Sequence, residues 1–157
     1  MFFNNIHIQN ALNELRQIMP FASAQINGGA KYPRITGVVN FIKMANGILV
    51  VTNLENLPRT QTNIFAMHIH GGEECNGDFS SAKDHLNLNN NNHPNHTGDL
   101  MPVFSNSGNA WSAVLYNKFT FADIVGKAII IHEKPDDFKT QPGGDAGGRI
   151  ACGLIKR

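Results

Sequence analysis

An all-β chain, folded as a sandwich or barrel, is what this sequence predicts. Three observations carry that reading. Segments of roughly six to nine residues rich in Val, Ile and Thr recur between breaks rich in Gly, Asn and Pro. Two stretches, residues 71–99 and 133–148, have no periodicity and are too long for ordinary turns. Charged residues are only 16% of the chain, while Asn and Gly abound, a mix that favours turns over long helices. Short strands joined by such turns, with two long loops, fit a sandwich or barrel.

The chain opens differently. Over residues 4–19 the apolar positions Ile8, Leu12, Leu15 and Met19 recur at steps of four, three and four, which places them on one helical face. Asn4 or Asn5 can cap this helix, and Pro20 ends it. The expected partner of such a face is the helix's own domain. Residues 1–20 therefore read as a helical extension and 21–157 as the β domain. Ala22, Ala24 and Ile26 alternate with polar residues as a strand does, and Gly28-Gly29 turns the chain. Strands are expected over 35–43 and 47–54, joined by a hairpin at Ala45-Asn46-Gly47, where Asn-Gly tolerates positive φ. A further strand covers 63–70, and others cover 111–116, 127–132 and 150–155.

With 157 residues the chain suits one domain and can bury a core without metals or disulfides. A formal charge of +1 with scattered Lys and Arg gives no nucleic-acid footprint. No run approaches the roughly 20 apolar residues that cross a bilayer, so no membrane is expected. Met1-Phe2-Phe3-Asn4-Asn5 lacks the basic start and apolar run of a signal peptide, which reads as cytoplasmic. A secreted or periplasmic protein whose signal had been removed would read the same. Cys75 and Cys152 are either two free thiols or one disulfide closing a large loop.

Six of the seven histidines fall between residues 67 and 149. His68 and His70 are two apart on an expected strand, so they share a face with Cα atoms roughly 6.5 to 7 Å apart. They are either polar residues on a solvated face or a pair converging on one ion. In His93-Pro94-Asn95-His96-Thr97-Gly98-Asp99 each candidate donor is three residues from the next. Two imidazoles and a carboxylate suit a tetrahedral zinc lacking one ligand, and His85 can supply it. Both ring nitrogens of an imidazole can bind metal, so a shared His85 would complete two sites. His132 ends a buried-looking strand; with His68, His70 and His85 it makes four imidazoles, a set that suits copper(II). The Asn-rich stretch over residues 87–95 is either low-complexity sequence or a loop ordered by metal.

This set resembles the Cu,Zn superoxide dismutases over residues 21–157. His68-Ile69-His70 is similar to the first two copper ligands of that family, and His85 in Asp84-His85-Leu86-Asn87 to its bridging histidine. His93, His96 and Asp99 resemble the remaining zinc ligands. Ile129-Ile130-Ile131-His132-Glu133 is similar to the strand that carries the last copper ligand. Asp136 resembles the carboxylate that orients a copper and a zinc histidine together. The run from Gly143 to Gly153, with Arg149 and Cys152, is the most specific match. The resemblance implies a Greek-key sandwich or barrel of about eight antiparallel strands with two functional loops. It implies copper and zinc as cofactors, a Cys75–Cys152 disulfide and superoxide as substrate, and it admits a homodimer. In that scheme superoxide is converted to oxygen and hydrogen peroxide, Arg149 attracts the anion and His85 relays a proton. The segment between His93 and His96 is much shorter than in the animal and periplasmic enzymes. Either His93 reaches zinc through a tighter loop or the zinc site has changed. The alternative function is a superoxide-dismutase-like protein that binds zinc or copper with little or no dismutase activity.

Overall fold

The computed structural model describes residues 19–157. The expected helix over residues 4–19 therefore lies, but for Met19, outside the described residues. β1 (Ala22–Gly28), β2 (Thr36–Met44) and β3 (Gly47–Glu55) form a meander. Two short strands follow, β4 (Ile64–Phe65) and β5 (Met67–His70). After a long loop come β6 (Val103–Phe104), β7 (Ala110–Tyr116), a helical turn α1 (Phe121–Ile124), β8 (Ala128–His132) and β9 (Arg149–Lys156). Seven strands pair in the order β5-β8-β9-β1-β2-β3-β7, every pair antiparallel, and the sheet curls into an open barrel; β4 and β6 make a second, two-stranded sheet. The chain jumps from β3 to β5 at the far edge, then returns to lay β7 beside β3, as Greek-key strands do.

Period two decides what lies inside. Ala22, Ala24 and Ile26 of β1, Val39 and Phe41 of β2, and Ile48, Val50 and Leu54 of β3 all point into one core with Phe65, Ile129, Ile131 and Ile155. Each such large side chain contributes roughly 1.5–3 kcal/mol on burial. β8 reads as a continuous apolar run because both its faces are covered. Ile129 and Ile131 enter the main core, while Ala128 and Ile130 join Phe79, Ala82 and Cys152 in a smaller cluster. The disulfide Cys75–Cys152, with Cα atoms 5.7 Å apart, ties the loop after β5 to β9 over that second cluster. It closes a separation of 77 residues. By chain entropy a loop of that order contributes about 4 kcal/mol.

One expectation needs correction. The strand over 63–70 is two strands in two sheets, split at Ala66. There the Ala66 N–H donates to Lys134 O (2.8 Å) and its carbonyl accepts from His132 N (2.9 Å), so this residue bonds across to the end of β8 while Ile64 and Phe65 pair with β6. The expected hairpin after β2 is present: Met44 pairs with Gly47, which leaves Ala45-Asn46 as the turn, and Gly47 takes the positive φ (148°).

Candidate metal centre

β5 and β8 bring the first donors together. Their register sets His68 opposite Ile130 and Met67 opposite Ile131, and β8 ends at His132. His70 Nε2 and His132 Nε2 stand 3.3 Å apart. The His70 Nδ1–H donates to Lys83 O (2.8 Å), and His132 Nδ1 faces Gly147 O (3.4 Å). These bonds fix the protons on Nδ1 and turn two lone pairs toward each other, an arrangement that a cation between them relieves.

The second set is loop-borne, yet it is pinned to β5. That strand is an edge of the large sheet, and two legs of the long loop cover it. His70 bridges to His85, and His68 bridges to Asp99. Ile69 accepts from Leu86 N (2.8 Å) and donates to Gly98 O (2.9 Å). Gly98 is required by this closeness, since a Cβ there would fall 2.0 Å from Ile69 O. Spacing by three makes a tight turn of residues 96–99: Asp99 N donates to His96 O (3.2 Å), and Asp99 Oδ2 accepts from His96 N (2.9 Å). His85 Nδ1 lies 2.7 Å from Asp99 Oδ1, His93 Nδ1 3.1 Å from Oδ2 and His96 Nδ1 3.4 Å from Oδ1.

Asp136 ties the two sets. Its Oδ2 accepts from His68 Nε2 (2.9 Å) and its Oδ1 from His93 Nε2 (2.8 Å). Both rings thus carry their proton on Nε2 and keep a bare Nδ1. Gly144 (φ 68°) must lack a side chain here, because its Cβ would lie 2.0 Å from Asp136 Oδ1. His68, His93 and His96 each bury an Nδ1 without a hydrogen-bond partner. A buried polar atom left unpaired is costly, and at His93 the bare lone pair also faces the Asp99 carboxylate. The donor set thus fits cations at both places.

One ligand atom from each of His68, His70, His85 and His132 lies within 4.8 Å of the others, and the same holds for His85, His93, His96 and Asp99. His85 belongs to both groups; its ring centroid is 4.0 Å from that of His68 and 5.5 Å from that of His96. The short His93–His96 segment therefore still delivers His93 to the second set. Burial favours the neutral form of four of these imidazoles. It pushes His70 down to about 2 and His132 down to about 3, and it lowers His68 and His96 as well. For Asp99 burial acts upward, but hydrogen bonds from His85 and the His96 N–H outweigh it and bring the carboxyl down to about 2. At Asp136 burial is likewise outweighed by the bond from His68.

Arg149, paired with His132 at the start of β9, lines a cleft of about 500 Å³ together with His70, His85 and His132. Its guanidinium donates to the carbonyls of Phe79 and Lys83. Every site residue expected from the sequence therefore gathers on the outer face of β5 and β8 and in the loops that cover it, apart from the disulfide, which braces the loop beside it.

Two supporting residues have no local signal in the sequence. Lys118 donates its ammonium to the backbone carbonyls of both His96 and Asp99. Gln141 grips His93 from both sides, accepting from its N–H (2.9 Å) and donating to its carbonyl (2.7 Å).

Comparison with known proteins agrees with this geometry. Residues 35–155 match the family model described as copper/zinc superoxide dismutase (SODC). A superoxide dismutase [Cu-Zn] of Aquifex aeolicus is 34% identical over 138 residues, covering 78% of this chain and 80% of the relative. A superoxide dismutase [Cu-Zn] of Xenopus laevis is 34% identical over 145 residues, covering 77% and 89%. Among solved structures, a double mutant of a SOD-like protein from Bacillus subtilis superposes with a TM-score of 0.74 at 26% identity, covering 86% of this chain and 97% of that one. The paired histidine clusters match the copper and zinc sites of that family, the disulfide and the curled β-sheet accompany them, and the chain belongs to the copper/zinc superoxide dismutase family.

Proposed function

We propose that this protein is a superoxide dismutase with a copper ion held by His68, His70, His85 and His132 and a zinc ion held by His85, His93, His96 and Asp99. The observation that carries the reading is the single His85 ring common to two four-donor groups. Copper supplies the change of valence by which one superoxide is oxidised to oxygen and the next, with two protons, is reduced to hydrogen peroxide.

The chain's own residues do the rest. Arg149 presents a fixed positive charge at the cleft mouth. Its bonds to two carbonyls hold the guanidinium there, and a charged cleft raises the encounter rate of a small anion. His85 keeps Nδ1 toward Asp99, which leaves Nε2 to take up a proton and hand it to the bound anion. Asp136 holds His68 and His93 in the tautomer that offers Nδ1, and such outer partners tune affinity and ligand basicity.

The test is to measure metal content as isolated, load copper and zinc, and assay superoxide removal. Activity that appears with copper and is lost on chelation is expected. Full copper occupancy without activity overturns the reading and favours a metal-binding role. Arg149→Glu in the loaded protein is expected to slow removal about tenfold and to flatten its decline with added salt. An unchanged rate takes Arg149 out of the role.

A further inference from the structure

The loops that join β1 to β2, β3 to β4 and β6 to β7 meet around a cleft of about 880 Å³ that shares no residue with the metal centre. Three cations line it, Lys31, Arg34 and Arg59, and no carboxylate does. The chain as a whole is nearly neutral, with 13 basic and 12 acidic residues, so this is a local excess. The cleft beside the metal centre differs, because there Arg149 shares the lining with Asp84 and Asp145. Glu133 meets Lys31 (2.7 Å), which leaves the two arginines as the uncompensated charges. Neither has an ion-pair partner among the described residues. Glu55, the acid next to Asn56 in sequence, lies outside the lining.

Main-chain bonds, rather than the charged side chains, set the frame of this cleft. Leu57 N donates to Gly108 O (3.0 Å), Ser105 N donates to Asn63 O (2.8 Å), and Asn106 and Asn109 bond to each other. Asn56 (φ 59°), Asn63 (φ 52°) and Ser107 (φ 52°) hold the left-handed backbone around it, which residues with side chains rarely adopt. Residues kept in such conformations by their surroundings gather at binding sites. Thr60 and Asn63 lock each other: Asn63 Oδ1 accepts from Thr60 N (3.1 Å), and Asn63 N donates to Thr60 Oγ1 (2.9 Å). The amide oxygen is thus spent, and what Asn63 has left to offer is its NH2. With the hydroxyls of Ser105 and Ser107 it adds neutral donors to the cationic rim.

We propose that this cleft binds a phosphate group, free or carried as a phosphomonoester, between the Arg34 and Arg59 guanidiniums. A guanidinium presents paired N–H donors that fit two phosphate oxygens at once. The amide and hydroxyl donors on the fixed loops complete the shell. A lining this polar does not suit an apolar ligand, and its volume falls in the range of small-molecule sites. The proposal is independent of the metals and of the reaction.

The test titrates the metal-loaded full-length protein, with its copper reduced, with inorganic phosphate and separately with adenosine monophosphate, and follows the amide chemical shifts. Saturable shifts are expected at Asn56, Ser107 and Gly108 with both probes. Both arginines are exposed, so the double variant Arg34→Gln with Arg59→Gln should fold and keep its metal content. It should weaken binding of both probes by about tenfold or more. Arg149→Gln, at the other cleft, should leave these shifts in place. Tighter binding of the nucleotide assigns the site to a phosphomonoester, and equal or weaker binding assigns it to the free anion; each supports the phosphate class. Three results overturn the proposal: no shift at these amides, shifts confined to Gly143 and Gly147 beside the metal centre, or an affinity unchanged in the double variant.

Discussion

The two halves of the metal centre are built by opposite means. His68, His70 and His132 stand on paired strands, each backed by a ladder of main-chain hydrogen bonds. His93, His96 and Asp99 stand on a loop that main-chain bonds tie to β5 only beside Gly98 and Asp99, and the rest of their placing depends on side-chain contacts. Those are the Gln141 grip on His93, the Lys118 ammonium on two carbonyls, and the bond from Asp99 back to His96. The first half is as rigid as the barrel. The second is as rigid as the contacts that hold the loop. A strand-borne set can therefore keep its shape when its metal is withdrawn, whereas a loop-borne set relies more on the ion to stay closed. His85 and Asp136 join the halves, so changes there should erase the contrast, and changes at Lys118 should sharpen it.

The largest effect is expected from His85→Ala, which takes a donor from both halves at once. Superoxide removal should fall on the order of 10²–10⁴-fold, the range for loss of a proton-transfer group. The copper spectrum should also stop responding to added zinc. An intact zinc response in the variant would show that His85 links nothing.

Asp136→Asn comes next. An amide cannot accept ring protons with both its atoms, so His68 or His93 loses its tautomer anchor. Metal affinity should weaken by about 10- to 100-fold, and in both halves together when copper and zinc titrations are compared. Weakening confined to one metal would break the proposed link.

Acid should weaken the metal-free protein, most through two strand histidines. His70 and His132 have folded values of about 2 and about 3, far below the ordinary 6.5. Below pH 6.5 the unfolded chain then binds more protons than the folded one. Stability therefore drops as pH falls, by roughly 1.4 kcal/mol per unit for each of the two histidines. Asp99 acts in a lower window. Its carboxyl, at about 2 against 3.8, contributes stability above pH 4 that is lost only on the way to pH 2. Urea midpoints that hold steady from pH 7 to pH 5 would contradict the buried neutral state of the strand histidines.

The smallest effect, and the most selective, is expected at Lys118→Met. It leaves the strand half alone and frees the carbonyls of His96 and Asp99. Zinc retention against a chelator should fall by about tenfold or less, with copper retention unchanged. Equal loss of both metals would mean that the lysine supports the barrel as a whole.

The sequence and the structure divide the molecule along the same line. Strands were legible at β1, β2, β3, β7, β8 and β9, from alternation such as that of Ala24 with Gln25 or of Phe41 with Asn40, or, at β8, from an unbroken run of β-branched residues. β4 and β6 are two residues each, too short to show a period. The helical turn at α1 has four residues and depends on Asp123 accepting from the Thr120 N–H (2.7 Å). The break at Ala66 left no trace in the residues on either side, since it is made by Lys134 and His132 from the end of β8.

By itself the sequence determined which atoms can bind metal and how they are spaced: the His68–His70 pair on one strand face, the three-residue steps through His93, His96 and Asp99, and the strand that ends in His132. Those properties are local, set by the periods of backbone and turn. A shared His85 and an Asp136 serving two histidines were already offered by the residues and the resemblance, and the tertiary structure gave them their distances; it alone decided that Lys118 and Gln141 hold the loop. These contacts join residues far apart along the chain, and nothing near Lys118 in sequence fixes what its ammonium will reach. That depends on how the segment after β7 meets the long loop that covers β5, a matter of the whole barrel closing at once.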